Sequence, residues 1–340
     1  MIIQSTIVII GVIIVTILKL NIIYLAIVYF ASSLVLLILF ILYFKKHLDT
    51  YKLSFKYFSI KQVKEIFGFS FSIQMMSIFG ALIDPIIKYL LGSFYSISSV
   101  PAYEIARKFA VSISGLFFNA FKIILPKASV LQNYNEINLF INTDVMKYCK
   151  IGIAYSGIAF GVFALPIVYF IKFFFGINEA ILIFIILALP ESINNFGYSI
   201  YNFLIGVGKV SFLASLQFIN LIFVIVGLII GFNIFGNSLG LLGYFFSVLI
   251  ANIMMIIYLK KEWKVSPPRL LFSVGITKLV ILIITLFITI VLLYNALIPL
   301  VFILLFNSFI SLIVFRKDLL LYAKLFYSLT LNKLFIEKSN

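Results

Sequence analysis

Runs of Ile, Leu, Phe and Val about twenty residues long, nearly free of charge, constrain this chain more than any other feature. Read as helices at about 1.5 Å per residue, such runs match a hydrocarbon layer about 30 Å thick. A membrane barrel would show shorter strands of alternating polarity instead. Ten spans follow: about 2–18, 22–44, 66–91, 101–125, 151–173, 180–205, 210–232, 239–259, 270–294 and 297–315. The expected fold class is an all-α, polytopic integral membrane helical bundle.

Composition closes off the alternatives. Hydrophobic residues make up 64% of the chain and charged residues 11%, with a mean hydropathy of +1.22. A soluble globular chain carries about 25% charged residues. A soluble enzyme, a secreted disulfide scaffold and a disordered chain are therefore excluded. Cys149 is the single cysteine and His47 the single histidine, so no disulfide framework and no histidine-based zinc or haem site is expected. No metal and no cofactor is expected.

The net charge is +15. In a membrane chain this reflects basic loops on the cytoplasmic side, not nucleic-acid binding. With ten spans, Lys45, Lys46, Lys52, Lys56, Lys61 and Lys64 fall on one side. Lys127, Lys147, Lys150, Lys209, Lys260, Lys261, Lys264 and Arg269 join them, as do Arg316, Lys317, Lys324, Lys333 and Lys338. The other side holds Lys19 and Lys172. The positive-inside rule then makes both termini cytoplasmic, in a plasma (inner) membrane. The first span has no basic leader and no small-residue cleavage site, so it reads as a retained helix.

Five parts are expected. Residues 1–44 form two helices, 45–65 a basic cytoplasmic connector and 66–260 a six-helix bundle. Residues 261–316 form a terminal pair, and 317–340 a tail lying on the anionic membrane surface. Ser59 and Gln62 resemble a capping box that starts the helix entering the third span. Residues 126–150 read as a polar connector.

Ionisable groups inside a bilayer are costly and mark candidate sites. They collect in three spans, at helical steps of three and four. The third span carries Ser70, Gln74, Ser77, Gly80, Asp84 and Lys88. The fourth carries Glu104, Lys108, Gly115, Asn119 and Lys122, with Arg107 beside the stripe. The sixth carries Glu191, Asn195, Tyr198 and Asn202, with Pro190 expected to kink it. Gln217 and Asn220 form a weaker patch in the seventh. One reading is a hydrated cavity lined by these stripes. The other is that Asp84 with Lys88, and Glu104 with Lys108, are helical pairs that neutralise each other. Lys122 and Lys278 also fit snorkelling anchors. No catalytic constellation or phosphate loop is present, and Gly206–Val207–Gly208–Lys209 reads as a tight turn.

Four segments together resemble the prokaryotic polysaccharide and O-antigen flippases, within the superfamily of multidrug extruders and lipid II flippases. They are FSIKQVKEIFGFSFSIQMMSIFGALIDPIIKYLLGSF (58–94), VPAYEIARKFA (100–110), NAFKIILPKASVL (119–131) and FLIGVGKVSFLASLQFIN (203–220). The resemblance implies two pseudo-symmetric six-helix bundles and a terminal pair, about fourteen helices in all. Spans three to eight would be the second bundle, spans one and two the end of the first. About four N-terminal helices of the pattern would then be missing, so a companion polypeptide, another polysaccharide-assembly protein or a second copy is an expected partner.

The function implied is a non-enzymatic flippase moving an undecaprenyl-diphosphate-linked oligosaccharide, with membrane lipid around it. In that reading Lys88, Arg107 and Lys122 attract the diphosphate. Asn119, Asn195, Tyr198 and Asn202 meet sugar hydroxyls, Gln74 is a further substrate-binding residue, and Asp84 and Glu191 balance charge or couple to protons. A cation-coupled multidrug extruder is the nearest rival. An integral-membrane glycan polymerase or transferase ranks lower, since it would want a larger, charged outer loop.

Overall fold

The computed structural model describes residues 2–18, 21–47, 59–267, 271, 275–294, 299 and 302–318. The tail 319–340, and most of the basic segment between the second and third spans, lie outside the described residues. Among the described residues every regular element is helical. Two compact units separate at the segment boundary, residues 1–64 and 65–340.

The first unit holds α1 (Ile2–Ile17) and α2 (Ile22–His47), packed as a pair. Gly11 lets them approach: a Cβ there would lie 2.3 Å from Val28 Cγ1. Small residues at such crossings are how apolar helices associate where lipid removes any hydrophobic gain.

α3 (Ile60–Phe94) begins where Ser59 signals a start and lies, from Glu65 onward, in the second unit. It carries Pro85 in its interior. α4 (Ser99–Phe121) and the short α5 (Ile124–Ser129) follow, with a break at Lys122–Ile123. The residues expected to be a polar connector turn helical at Tyr134. α6 (Tyr134–Phe140) and α7 (Met146–Ser156) are joined by a π-helical turn, Ile141–Val145. The local reason is a start signal inside the polar stretch. Asn133 is extended, and its Nδ2 donates to Glu136 Oε1 at 3.2 Å, which holds an acidic group in the first turn. Ile141, Val145 and Cys149, four apart, then bury one face.

The expected fifth span is bent. After a second π-helical turn, Gly157–Val162, the chain turns by 46° at Phe163 into α8 (Ala164–Phe175). Pro166 explains the break. It has no N–H to offer the carbonyl four residues earlier, that of Val162. Ser308 Oγ–H donates instead to the carbonyls of Val162 (3.3 Å) and Gly161 (3.2 Å).

α9 (Asn178–Gly206) is the buried central helix and runs unbroken through Pro190. α10 (Val210–Phe235) and α11 (Leu242–Trp263) form a tight pair beside it. α12 (Ile276–Tyr294) and the helix 302–318, α13, complete the unit. α4, α7, α11 and α12 all pack on α9. The turn between α9 and α10 uses Gly208 at φ 78°, a left-handed conformation open to glycine, as the Gly-x-Gly-Lys segment implied. Beside it Lys209 pairs with Glu262, which raises the lysine's affinity for its proton.

Among the described residues seven helices are long and apolar enough to cross a membrane, eight if the bent pair is one span. α1 and α13 match the first and tenth expected spans but are too short to meet that length among the described residues.

Candidate functional site

α9 presents two faces, and the split decides what each polar residue can do. One face meets α7. Gly152 sits so close that a Cβ would lie 2.1 Å from the Asn195 carbonyl. Around it, Asn195 Nδ2–H donates to Ser156 Oγ (3.1 Å), and Ser156 Oγ–H reaches the carbonyls of Gly152 (3.0 Å) and Ser192 (3.3 Å). Cys149 Sγ and Ser199 Oγ share a hydrogen bond of 2.8 Å. Asn195 is therefore part of a helix–helix seam. Asn202 is likewise buried, with its Nδ2–H on the Tyr198 carbonyl at 2.8 Å. Neither lines the two compartments on the other face of α9.

The other face of α9 carries Glu191, Asn194, Tyr198 and Tyr201, and it opens onto space. A cavity of about 470 Å³ lies among α3, α4, α9, α10 and α11. Its wall includes Gly80, Gly115, Phe118, Asn194, Tyr198, Tyr201, Gln217, Asn220, Asn252 and Met255. A Cβ at Gly80 or Gly115 would meet nothing within 4 Å, so both glycines widen the space. Three residues of this wall keep an amide oxygen turned away from the open space and without a hydrogen-bond partner among the described residues: Gln217 Oε1, Asn220 Oδ1 and Asn252 Oδ1. Asn252 Nδ2–H donates to the Val248 carbonyl at 2.9 Å, and its oxygen lies against Gly197, where a Cβ would come within 1.9 Å of it. Phe118 and Tyr198 pack ring against ring, centroids 4.8 Å apart.

A second compartment, about 180 Å³, adjoins the first through Val111, Asn194 and Tyr198. Arg107, Glu191, Tyr103 and Tyr244 line it. Arg107 Nε is 2.6 Å from Asp84 Oδ1, and Tyr103 Oη–H donates to the same oxygen at 3.1 Å. Lys88 lies 2.6 Å from Asp84 Oδ2 and also pairs with Glu104. Two acids and two bases thus neutralise one another and tie α3 to the start of α4. The Asp84–Lys88 helical pair is present. Glu104 turns to Lys88 across the helices, and Lys108 is exposed with no carboxylate within reach among the described residues. Glu191 is 6% exposed, near Arg107, Ser114 and Asn194, and makes no ion pair among the described residues.

The remaining expected residues scatter. Gln74 and Asn119 are exposed and do not line either compartment. Lys122 sits at the α4–α5 break, its Nζ 5.1 Å from the ring of Phe118; Phe118 lines the larger cavity and Lys122 does not. No carboxylate pairs with it among the described residues. Lys278, expected as an anchor, pairs with Asp318 of α13. Asn194, Tyr201, Tyr244 and Asn252 line the compartments and were not singled out from the sequence. For Asn194 the signal was the i,i+3 step from Glu191, equally compatible with helical spacing as the step to Asn195.

Residues 1–132 match the family model described as polysaccharide biosynthesis protein. The match takes in α3, α4 and three of the four segments that carried the resemblance, while α9, α10 and α11 lie beyond it. No curated protein and no solved structure matches the chain.

Proposed function

We propose that this chain, whose residues 1–132 match the family model described as polysaccharide biosynthesis protein, is a flippase that carries an undecaprenyl-diphosphate-linked oligosaccharide across the membrane. The observation that supports this most is the large cavity. It is bounded by membrane-length helices, yet its wall offers amides and aromatic rings. Sugars need that combination: hydrogen-bond partners for hydroxyls and flat rings for their apolar faces. No bond is made or broken in this process.

In this reading the glycan enters the larger cavity and the diphosphate stays at its mouth on Lys122. Lys88 and Arg107, the other expected phosphate ligands, are already held by Asp84 and Glu104. Their role is to close one end of the cavity. The lysine-rich end, with Lys122, Lys150, Lys209 and Lys264, would face the cytoplasm, where lipid-linked glycans carry their diphosphate among basic side chains.

The test is transport of a lipid-linked oligosaccharide in vesicles containing the purified protein. Lys122→Ala should slow it about tenfold or more, since a charge-assisted hydrogen bond contributes about 1.5–3 kcal/mol. Arg107→Ala should lower thermal stability first. Glu191 supports the rival reading, because an unpaired carboxylate in a cavity can attract organic cations. Ethidium efflux in the same vesicles decides between them: efflux without glycan transport would establish the extruder.

A further inference from the structure

At the bend near Phe163 an open groove of about 560 Å³ lies between α4 and the two arms of the bent span. Phe109 and Ile113 of α4, Tyr155 of α7, Phe163, and Pro166 and Phe170 of α8 are in its wall. Its polar capacity is spent. Among the described lining residues Tyr155 carries the single polar side chain, and its Oη–H donates to the Ile113 carbonyl at 2.6 Å. A polar occupant would go unpaired there, so this wall suits a hydrocarbon chain.

The place of the groove on α4 says which chain. At about 100° per residue, α4 shows three environments in order around its axis. Val111, Gly115 and Phe118 line the larger polar cavity. Lys108, Ser112, Asn119 and Lys122 form an exposed stripe beside them. Phe109 and Ile113 line the groove on the far side of that stripe. The remaining side, with Ala106, Ala110 and Ser114, is buried. Lys108 stands where the three meet, next to Phe109 and one turn from Val111. The middle of the membrane-length stretch Ser99–Ser129 falls at Ser114. Lys108 lies about six residues, ~9 Å, from it, within a hydrocarbon layer about 30 Å thick. A cation at that depth needs an anion. No carboxylate pairs with it among the described residues.

A lipid-linked oligosaccharide has its parts in the same order: polar glycan, anionic diphosphate, hydrocarbon chain. An anionic phospholipid would fill the stripe and the groove and leave the polar cavity unused. We infer that the groove at the bend seats the polyprenyl chain of the substrate, with the diphosphate on Lys108 and the glycan in the cavity. Lys122 and Lys108 are about 14 residues, ~21 Å, apart along α4. They are successive stations for the diphosphate, and Lys108 is the one nearer the Asp84–Arg107 closure. The inference rests on the flippase reading and gives a site to the lipid part of its substrate.

The test uses the purified protein in phosphatidylethanolamine nanodiscs. The probe is a polyprenyl-diphosphate-linked oligosaccharide with a photoreactive diazirine on its polyprenyl chain. Label should map to Phe163, Ile167 and Phe170, and an excess of phosphatidylglycerol should leave it there. Lys108→Ala should cut it about tenfold or more, and Lys108→Arg should restore most of it, since the contact is charge-assisted. A melting curve on each variant shows that it is folded. Label spread over exposed residues of α12 such as Ile284 and Ile288, displaced by phosphatidylglycerol, or unchanged in Lys108→Ala would overturn the inference. Transport by the parent protein in vesicles is measured separately. Transport without label in the groove sinks the inference alone, whereas label in the groove without transport keeps the site and sinks the flippase reading.

Discussion

Asn194 and Asn195 are neighbours in the chain with opposite duties. Asn194 lines both compartments, whereas Asn195 is fully buried against α7 with its Nδ2–H on Ser156. Asn195→Ala should lower the melting point, by about 0.6–1 kcal/mol of interhelical hydrogen bonding, and leave transport rates per folded molecule unchanged. Asn194→Ala should slow transport with little change in melting. Paired melting and vesicle assays on the two variants check the assignment. The pair also shows where sequence reasoning stops. Steps of three and four from Glu191 lead both to Asn194–Tyr198–Tyr201 and to Asn195–Tyr198–Asn202, and periodicity alone cannot choose. The choice is made by Gly152, whose missing side chain brings α7 onto the Asn195 side. Asp84 with Lys88 was legible as a pair four residues apart, but Glu104 turning away from Lys108 was not, because its partner comes from another helix.

At the scale of elements, α10 and the start of α11 are set by close backbone approach at two points. A Cβ at Gly243 would lie 2.1 Å from the Gly227 carbonyl, and one at Gly231 would lie 2.4 Å from the Gly240 carbonyl. Here the obstacle is backbone, which cannot rotate aside. Gly243→Val should therefore cost about 1–3 kcal/mol or more, by forcing α10 from α11 and spoiling the cavity wall they share. Thermal unfolding in detergent measures it. α3 is held differently. Its face is mostly exposed, and it is tied to α4 by Asp84 through Tyr103 and Arg107, and to α10 by Phe79 on Phe218 and Phe94 on Phe232. Asp84→Asn should loosen this helix, seen as faster amide hydrogen exchange along 75–94 with α9 unaffected. The apolar runs made α2, α3, α9, α10 and α11 readable, since length and hydropathy are one-dimensional properties. The bend at Phe163 was not, because it needs Pro166 together with a hydroxyl from α13 more than a hundred residues away.

At the scale of the whole molecule, Lys209 of the α9–α10 turn meets Glu262 at the end of α11, next to Lys260, Lys261 and Lys264, while Lys88 and Arg107 lie where α3 ends and α4 starts. Positive-inside orientation predicts that a cysteine introduced as Lys264→Cys, in a Cys149→Ser background, is labelled by an impermeant maleimide only after cells are opened. Labelling of intact cells would invert the molecule. The family match covers α3 and α4, one wall of the cavity, and the remaining walls are supplied by α9, α10 and α11. The account therefore stands on whether that shared space carries the substrate. Three glycines allow a direct answer, since a Cβ at Gly68, Gly80 or Gly115 meets nothing within 4 Å, while only Gly80 and Gly115 of the three line the cavity. Transport of a lipid-linked oligosaccharide should be lost in Gly115→Trp and Gly80→Trp, with melting points near that of the parent, and kept in Gly68→Trp. Parental transport rates in folded Gly115→Trp and Gly80→Trp would contradict the account.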